Sequence, residues 1–147
     1  MKFSIESVNI SAEKGVQKHP VPGATLVKDH GIMGDAHAGK WHRQVSLLAL
    51  ESIQTMREKA GSLVIRDGDF GENLITRGID LSKVSIGGKI RINNVILEVT
   101  QIGKECHTGC AIFDAVGECI MPVQGIFARV IRGGRINAED SGYYSVG

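Results

Sequence analysis

The middle of the chain, residues 63–103, most constrains the fold. Short runs rich in Val, Ile, Leu and Thr are separated there by the pairs Asp67-Gly68, Arg77-Gly78, Gly87-Gly88 and Asn93-Asn94. β-Branched residues favour strands, and Gly, Asn and Asp favour the tight turns between them. The pattern therefore predicts consecutive short antiparallel strands. Several such strands in succession indicate a mainly β fold, either a bent sheet or a barrel.

The segments before this stretch predict further strands and one helix. Residues 2–10 have the polar–apolar pattern of an opening strand, and residues 11–27 predict a loop and a short strand. A strand is predicted near residues 44–48. In residues 48–61 the apolar side chains recur at helical spacing and Gly61 suits the helix C-terminus, so this segment predicts a helix.

The C-terminal third predicts a short helix and a hairpin. The sequence TGCAIFDAVGECIMP places Cys110, Phe113 and Asp114 on one helical face, and Pro122 would end that helix. The sequence GIFARVIRGGRI predicts a hairpin that turns at Gly133-Gly134. With no linker or repeat, residues 1–147 are expected to form one domain with a bent antiparallel or barrel-like sheet and a few short helices.

Charge and hydropathy exclude several classes of function. The 17 basic and 16 acidic residues nearly balance, so nothing suggests nucleic-acid binding or a charged membrane-binding face. No apolar run has the length of a signal peptide or membrane helix, so we expect a cytoplasmic protein. In that reducing compartment the three cysteines are expected to be free thiols or metal ligands.

The sequence ECHTGC, residues 105–110, contains Cys106, His107 and Cys110. Buried cysteines are often simply small hydrophobic residues, which is one reading of these two. A zinc site is a second reading, although the spacing supplies only half of one. Its remaining ligands would come from His37, His42 or Cys119. A third reading is a reactive thiolate at Cys110, stabilised by the start of the predicted helix.

Two polar loops near the N-terminus could recognise an anion. Lys14 and Lys18 flank a glycine in EKGVQKHP, where ammonium groups and backbone N–H groups could hold a phosphate. Two solvated surface lysines are the alternative. The sequence GDAHAGKWHRQ concentrates Asp35, His37 and Arg43 beside the single tryptophan of the chain, so it is a place to look for a site.

A third polar segment, DFGENLITRG, places Glu72 and Asn73 at the start of a predicted strand. The Asn73 amide can donate to and accept from a heterocycle, or it can tie down its own turn. No serine triad is legible, because the chain has no Gly-x-Ser-x-Gly sequence. A phosphate-binding glycine motif of the Walker or dinucleotide type is likewise missing from the sequence.

Six segments, taken in order, resemble the MOSC family, the domain named for the C-terminus of molybdenum cofactor sulfurase. They are EKGVQKHPV, GIMGDAHAGKWHRQVSLLALESI, FGENLITRGIDL, IGGKIRI, LEVTQIGKECHTGC and GIFARVIRGG. The resemblance is to the short, stand-alone bacterial members. It implies a barrel-like β fold and a pocket for molybdenum cofactor, a pterin that carries a dithiolene and a terminal phosphate. The tail SGYYSVG departs from the usual closing strand of the family.

The resemblance also implies roles for the polar residues. Lys14, Lys18 and Arg43 would bind the phosphate, and Asp35, His37 and Asn73 would contact the pterin or form the polar frame of the pocket. Cys110 would be the catalytic thiolate, carrying sulfur or ligating molybdenum. Thiolate sulfur suits such soft chemistry better than imidazole or carboxylate does.

These roles lead to two functional hypotheses. In the first, the protein binds molybdenum cofactor and carries sulfur as a persulfide on Cys110, with a cysteine desulfurase, a molybdoenzyme or a cofactor-biosynthesis protein acting in trans. Pyridoxal phosphate is not expected on this chain, because it lacks a desulfurase domain. In the alternative, the protein is a molybdenum-dependent reductase of N-hydroxylated substrates that works with a separate electron donor.

Overall fold

The computed structural model describes residues 1–103 and 124–146, and this part of the chain is mainly β. One helix, α1 (Leu50–Lys59), and a short 3-10 turn (Leu81–Lys83) are present among these residues. The strands, in chain order, are β1 Lys2–Ile10, β2 His19–Val21, β3 Gly23–Val27, β4 Gly31–Ile32, β5 Val45–Ala49, β6 Leu74–Arg77, β7 Lys89–Ile92, β8 Val95–Ile102, β9 Ile126–Arg132, β10 Gly134–Asn137 and β11 Ser141–Ser145. The predicted mainly β fold is confirmed.

Seven of the described strands close a barrel. Their order is β11-β7-β8-β9-β5-β6-β1, and a pairing between β11 and β1 completes the ring. All pairings in the ring are antiparallel except that of β5 with β6, which is parallel. A parallel pair needs a crossover connection, and α1 lies in that connection. A second sheet, β10-β3-β4, packs beside the barrel.

The apolar residues form two clusters, one inside the barrel and one beneath the helix. Strand β7 alternates in the expected way, with Ile90 and Ile92 buried and Arg91 exposed. Strand β5 is buried along its whole length, because Leu47 packs in the barrel and Leu48 packs in the cluster beneath α1. The two clusters explain why both faces of β5 are buried.

The helix was predicted with nearly the correct ends. It begins at Leu50 and ends at Lys59, and Ile53 and Met56 are its buried residues. Gly61 follows the cap residue and has a φ of 62°, a left-handed conformation that glycine adopts without strain. Among the described residues, no helix is long and apolar enough to cross a membrane.

The prediction of consecutive antiparallel strands over residues 63–103 is wrong in part. Only the Asn93-Asn94 turn joins strands that pair with each other, β7 and β8. Residues 63–66 form no strand, and β6 pairs with β1 and β5 instead of with β7. The reason is burial: three of the four residues of β6 are buried, because Leu74 packs inside the barrel and Ile75 packs in the cluster beneath α1.

The predicted hairpin at Gly133-Gly134 is also wrong, because β10 leaves β9 and pairs with β3. Gly133 permits this crossing, since a Cβ atom there would lie 2.4 Å from the Leu26 carbonyl oxygen. The tail, for which the sequence predicts no element, forms a strand. Its strand β11 pairs with both β7 and β1 and closes the barrel, with Tyr144 buried. The helix predicted from residues 108–122 lies outside the described residues.

Candidate functional site

A small cavity opens where two loops meet the ends of the barrel strands. Its volume is about 140 Å³. One loop precedes β5, the other precedes β6, and β9 supplies the remaining wall. Three of the predicted residues, His37, Arg43 and Asn73, come together here. The lining residues are His37, Trp41, Arg43, Ser46, Gly71, Asn73 and Phe127.

Arg43 is held between two aromatic side chains at the wall of this cavity. Its guanidinium carbon lies 4.6 Å from the centroid of the Trp41 ring and 5.7 Å from that of Phe127. Both distances are in the range of cation–π attraction. The Nε atom of Arg43 is buried, and no acceptor for it is present in the described part of the chain. Because the positively charged Arg43 lines the cavity, this wall favours a ligand that brings an anionic acceptor.

Asn73 forms part of the frame of the cavity, since its side-chain groups are used within the protein. Its Oδ1 accepts a hydrogen bond from the Ser46 backbone N–H at 3.0 Å, and its Nδ2 donates to the Asn9 carbonyl oxygen at 3.1 Å. The residue is fully buried. These contacts join β1, β5 and the start of β6. Contact of Asn73 with a pterin stays a prediction.

Lys18 and Asp35 form a buried ion pair behind the cavity and do not line it. The Lys18 Nζ atom lies 2.8 Å from Asp35 Oδ1, and both side chains are fully buried. The same carboxylate accepts hydrogen bonds from the backbone N–H groups of Ser11 and His37, each at 3.1 Å. The Lys18 charge is thus balanced inside the protein. Lys14 is exposed in its loop and is not a lining residue.

His37 and Trp41 are linked through the backbone of their loop. The Trp41 indole Nε1 donates a hydrogen bond to the His37 carbonyl oxygen at 2.8 Å. The His37 ring is partly exposed, with its Nδ1 atom 4.0 Å from Asp35 Oδ2. One short loop therefore presents an imidazole, an indole and, two residues later, the Arg43 guanidinium to the same cavity.

Sequence reasoning gave no role to Glu72, which supports the second loop. Glu72 is fully buried, and its carboxylate accepts hydrogen bonds from the N–H groups of Gly68 and Phe70, each at 3.0 Å. Burial raises the pKa of Glu72 from 4.5 to about 7, and the two hydrogen bonds only partly oppose this. The cluster of glycines in DGDFGEN was the available signal, because Gly68 and Gly71 both have positive φ angles.

The predicted sulfur chemistry falls on residues that the structure does not describe. Cys106, His107, Cys110 and Cys119 all lie within residues 104–123, outside the described residues. Within residues 1–103 and 124–146, no group of three or more His, Cys, Asp and Glu side chains is arranged to hold a metal ion. The role of Cys110 therefore stays a prediction.

Two larger depressions on the described surface contain none of the predicted site residues. One, of about 670 Å³, carries the carboxylates Glu51 and Asp80, which would repel an anion. The other, of about 690 Å³, lies on the outer face of the barrel beside Arg77 and Arg91. Arg77 is already paired there with two carboxylates, those of Glu6 and Glu139. The small cavity is thus the one where the predicted residues meet.

Comparison with known proteins identifies the family. The family model described as the MOSC domain matches residues 34–142, most of the chain and both cavity loops. The chain belongs to the MOSC domain family. This family is associated with molybdenum cofactor binding.

Similar structures agree with the fold of this MOSC protein. The crystal structure of the YuaD protein from Bacillus subtilis has a TM-score of 0.83 and 19% identity, and the match covers 100% of this chain and 98% of that one. The crystal structure of YiiM from Escherichia coli has a TM-score of 0.70 and 20% identity, covering 100% and 71% respectively. Both likenesses concern the fold alone.

A sequence relative is longer than this chain. The uncharacterized protein YflK of Bacillus subtilis is 27% identical over 135 residues, and the match covers 85% of this chain. The chain spans 60% of the length of that relative. The relative therefore assigns no activity to this chain.

The cavity fits one part of a molybdenum cofactor. Pockets that enclose a whole cofactor usually measure about 300–1,000 Å³, whereas this one measures about 140 Å³. Its chemistry suits an anionic oxygen, because the guanidinium-bearing residue Arg43 lines it. It also suits a flat ring, because Trp41 and Phe127 line it.

Proposed function

We propose that this MOSC protein binds molybdenum cofactor, with one end of the cofactor in the cavity lined by His37, Trp41 and Arg43. The observation that carries the proposal is the Arg43 side chain, which lines the cavity beside Trp41 and Phe127 and whose Nε atom has no acceptor in the described part of the chain. An oxygen of the cofactor would accept a hydrogen bond from this guanidinium. A charge-assisted hydrogen bond of that kind is about twice as strong as a neutral one.

The residues have different roles in this proposal. Arg43 binds an anionic oxygen of the cofactor, and Trp41 and Phe127 hold the guanidinium in place and shield it from water. Asn73 fixes the position of Ser46 and hence the floor of the cavity. When bound, the cofactor would supply the molybdenum and the dithiolene chemistry.

The finer part of the proposal is that Cys110 carries sulfur. Its thiolate would attack the terminal sulfur of a persulfide on a separate cysteine desulfurase. A new sulfur–sulfur bond forms on Cys110, the donor's sulfur–sulfur bond breaks, and the donor cysteine leaves as a thiolate. The pyridoxal phosphate needed to generate that persulfide would belong to the donor, and a molybdoenzyme or cofactor-biosynthesis protein would receive the sulfur.

Binding is tested by measuring molybdenum and pterin together on protein purified from molybdenum-replete cells. We expect both in the natural protein and a clear loss of both in Arg43→Met. The matched control is Arg91→Met, which removes an exposed arginine outside the cavity. Cofactor retained in Arg43→Met, or lost equally in Arg91→Met, would contradict the proposed site.

The sulfur-carrier role needs a separate test. Mass spectrometry after incubation with a cysteine desulfurase and cysteine should show one added sulfur on Cys110, and none in Cys110→Ser. If the loaded protein instead reduces N-hydroxylated substrates with an added electron donor and gains no sulfur, the carrier role is refuted and the reductase hypothesis replaces it.

A further inference from the structure

We infer that Lys18 and Asp35 are a positioning pair for the cavity and do not themselves bind the ligand. The proposal concerns how the protein sets the positions of His37, Trp41 and Arg43. Its link to ligand affinity rests on the function proposed above. Its structural part stands on the contacts of the protein alone.

A continuous series of contacts runs from the buried pair to the cavity wall. Asp35 Oδ1 binds the Lys18 ammonium at 2.8 Å, and Asp35 Oδ2 accepts a hydrogen bond from the His37 N–H at 3.1 Å. The His37 carbonyl oxygen accepts a hydrogen bond from the Trp41 indole at 2.8 Å. The centroid of the Trp41 ring then lies 4.6 Å from the Arg43 guanidinium carbon. Each contact orients the next residue in the series.

The pair also joins two loops that are distant in the sequence. Asp35 accepts a hydrogen bond from the Ser11 N–H, and the Ala36 N–H donates to the Ser11 carbonyl oxygen at 2.8 Å. The Lys18 ammonium donates to the Ser11 hydroxyl at 3.3 Å. The loop before β2 therefore holds the start of the cavity loop against the end of β1.

Stability alone does not account for this arrangement. Burying two charges has a large desolvation cost, and apolar residues of similar size commonly replace a buried ion pair without loss of stability. What an apolar pair cannot supply is an acceptor for the His37 N–H and a directional contact that selects one loop conformation. The position of the pair directly behind two lining residues, His37 and Trp41, points to that role.

The experiment separates positioning from stability by comparing two variants. In Lys18→Met/Asp35→Leu both charges and the acceptor for His37 are gone. In Lys18→Met the carboxylate and its bond to His37 remain, but the buried charge has lost its partner. The matched control is Lys89→Met/Glu98→Leu, which removes a 3.0 Å ion pair on β7 and β8 that does not line the cavity.

Trp41 is the only tryptophan in the chain, so its fluorescence reports directly on the cavity loop. We expect Lys18→Met/Asp35→Leu to unfold at a lower urea concentration than the natural protein, because the Ser11 and His37 N–H groups lose their acceptor. Without urea, the folded variant should show altered Trp41 emission and stronger quenching by acrylamide. We expect Lys18→Met to be clearly less stable, with Trp41 emission and quenching nearly unchanged. The control should leave the Trp41 signal as it is.

A purely structural pair would give the opposite pattern. The Trp41 signal of the folded double variant would then match that of the natural protein, or would change no more than in Lys18→Met, and either result overturns the inference. Hydrogen exchange of the His37 amide in the natural protein tests the same contact without any variant that must fold. A protected amide is expected, and exchange at the rate of an open loop would refute the positioning role.

The effect on the ligand is measured with molybdenum cofactor released from a purified molybdoenzyme. Loss of a hydrogen bond to a charged group that holds the binding loop should weaken binding by about tenfold in the double apolar variant. If the natural protein binds no cofactor, the proposed function fails while the Trp41 comparison still decides the positioning role. If the cofactor binds equally to both proteins, the link between the pair and the ligand is refuted.

Discussion

Glu72 lies buried beneath the loop that supplies Gly71 to the cavity, and its ionisation should make the stability of the protein depend on pH. Its carboxylate accepts hydrogen bonds from Gly68 and Phe70, and burial raises its pKa to about 7 against an ordinary 4.5, with the negative charge of Asp67 adding to the effect. The folded protein therefore keeps a proton that the unfolded chain releases.

The sign of the effect follows from these two pKa values. Below pH 4.5 Glu72 is protonated in both states, and its full contribution to the stability is present. As the pH rises from 4.5 towards about 7, Glu72 loses its proton in the unfolded chain but keeps it in the folded protein. Deprotonation therefore favours the unfolded chain, and the free energy of unfolding falls. The total loss is roughly 3 kcal/mol.

Urea unfolding at about pH 5 and about pH 8 measures this contribution. We expect the natural protein to lose 2–3 kcal/mol more than Glu72→Gln between the two conditions, of the order that the linkage relation gives. The amide cannot ionise, and the hydrogen bond that it fails to accept costs the same at both pH values. The control is Glu58→Gln, an exposed carboxylate on α1. Parallel pH profiles for the natural protein and Glu72→Gln would refute this reasoning.

Two substitutions test the framework of the site and the fold. Asn73→Ala should destabilise the protein by about 2–4 kcal/mol, because it leaves the buried Ser46 N–H and Asn9 carbonyl without their partner. Urea unfolding measures this loss. An effect below about 0.5 kcal/mol would contradict the framing role. Gly133→Ala should lower the free energy of unfolding by about 1–3 kcal/mol, since the new methyl group would meet the Leu26 carbonyl oxygen at 2.4 Å. An unchanged thermal midpoint would show that β10 does not cross to β3 there.

Local patterns predicted much of the barrel, whereas the choice of strand partners depended on distant residues. The helix and the opening strand were legible from periodicity and turn chemistry. The pairing of β10 with β3 was not, because it brings together residues more than one hundred positions apart in the sequence. The parallel pairing of β5 and β6 depends in the same way on burial of both strands from two sides.

The site shows the same division between local and distant information. The stretch containing His37 and Arg43 was predicted because polar side chains and the single tryptophan cluster there in the sequence. Burial of Lys18 was not predictable, since a lysine beside a glycine in a polar loop is ordinarily exposed. Its burial depends on Asp35, 17 residues later, and on a fold that brings the two loops together.

The most direct test of cofactor binding is a titration of Trp41 fluorescence with molybdenum cofactor released from a purified molybdoenzyme. Trp41 lines the cavity and contacts Arg43, so a ligand bound there must change its emission. We predict saturable quenching at one cofactor per chain in the natural protein and in Arg91→Met, and a much weaker response in Arg43→Met. A natural protein that shows no saturable change, or the same curve in Arg43→Met, would contradict the proposed site.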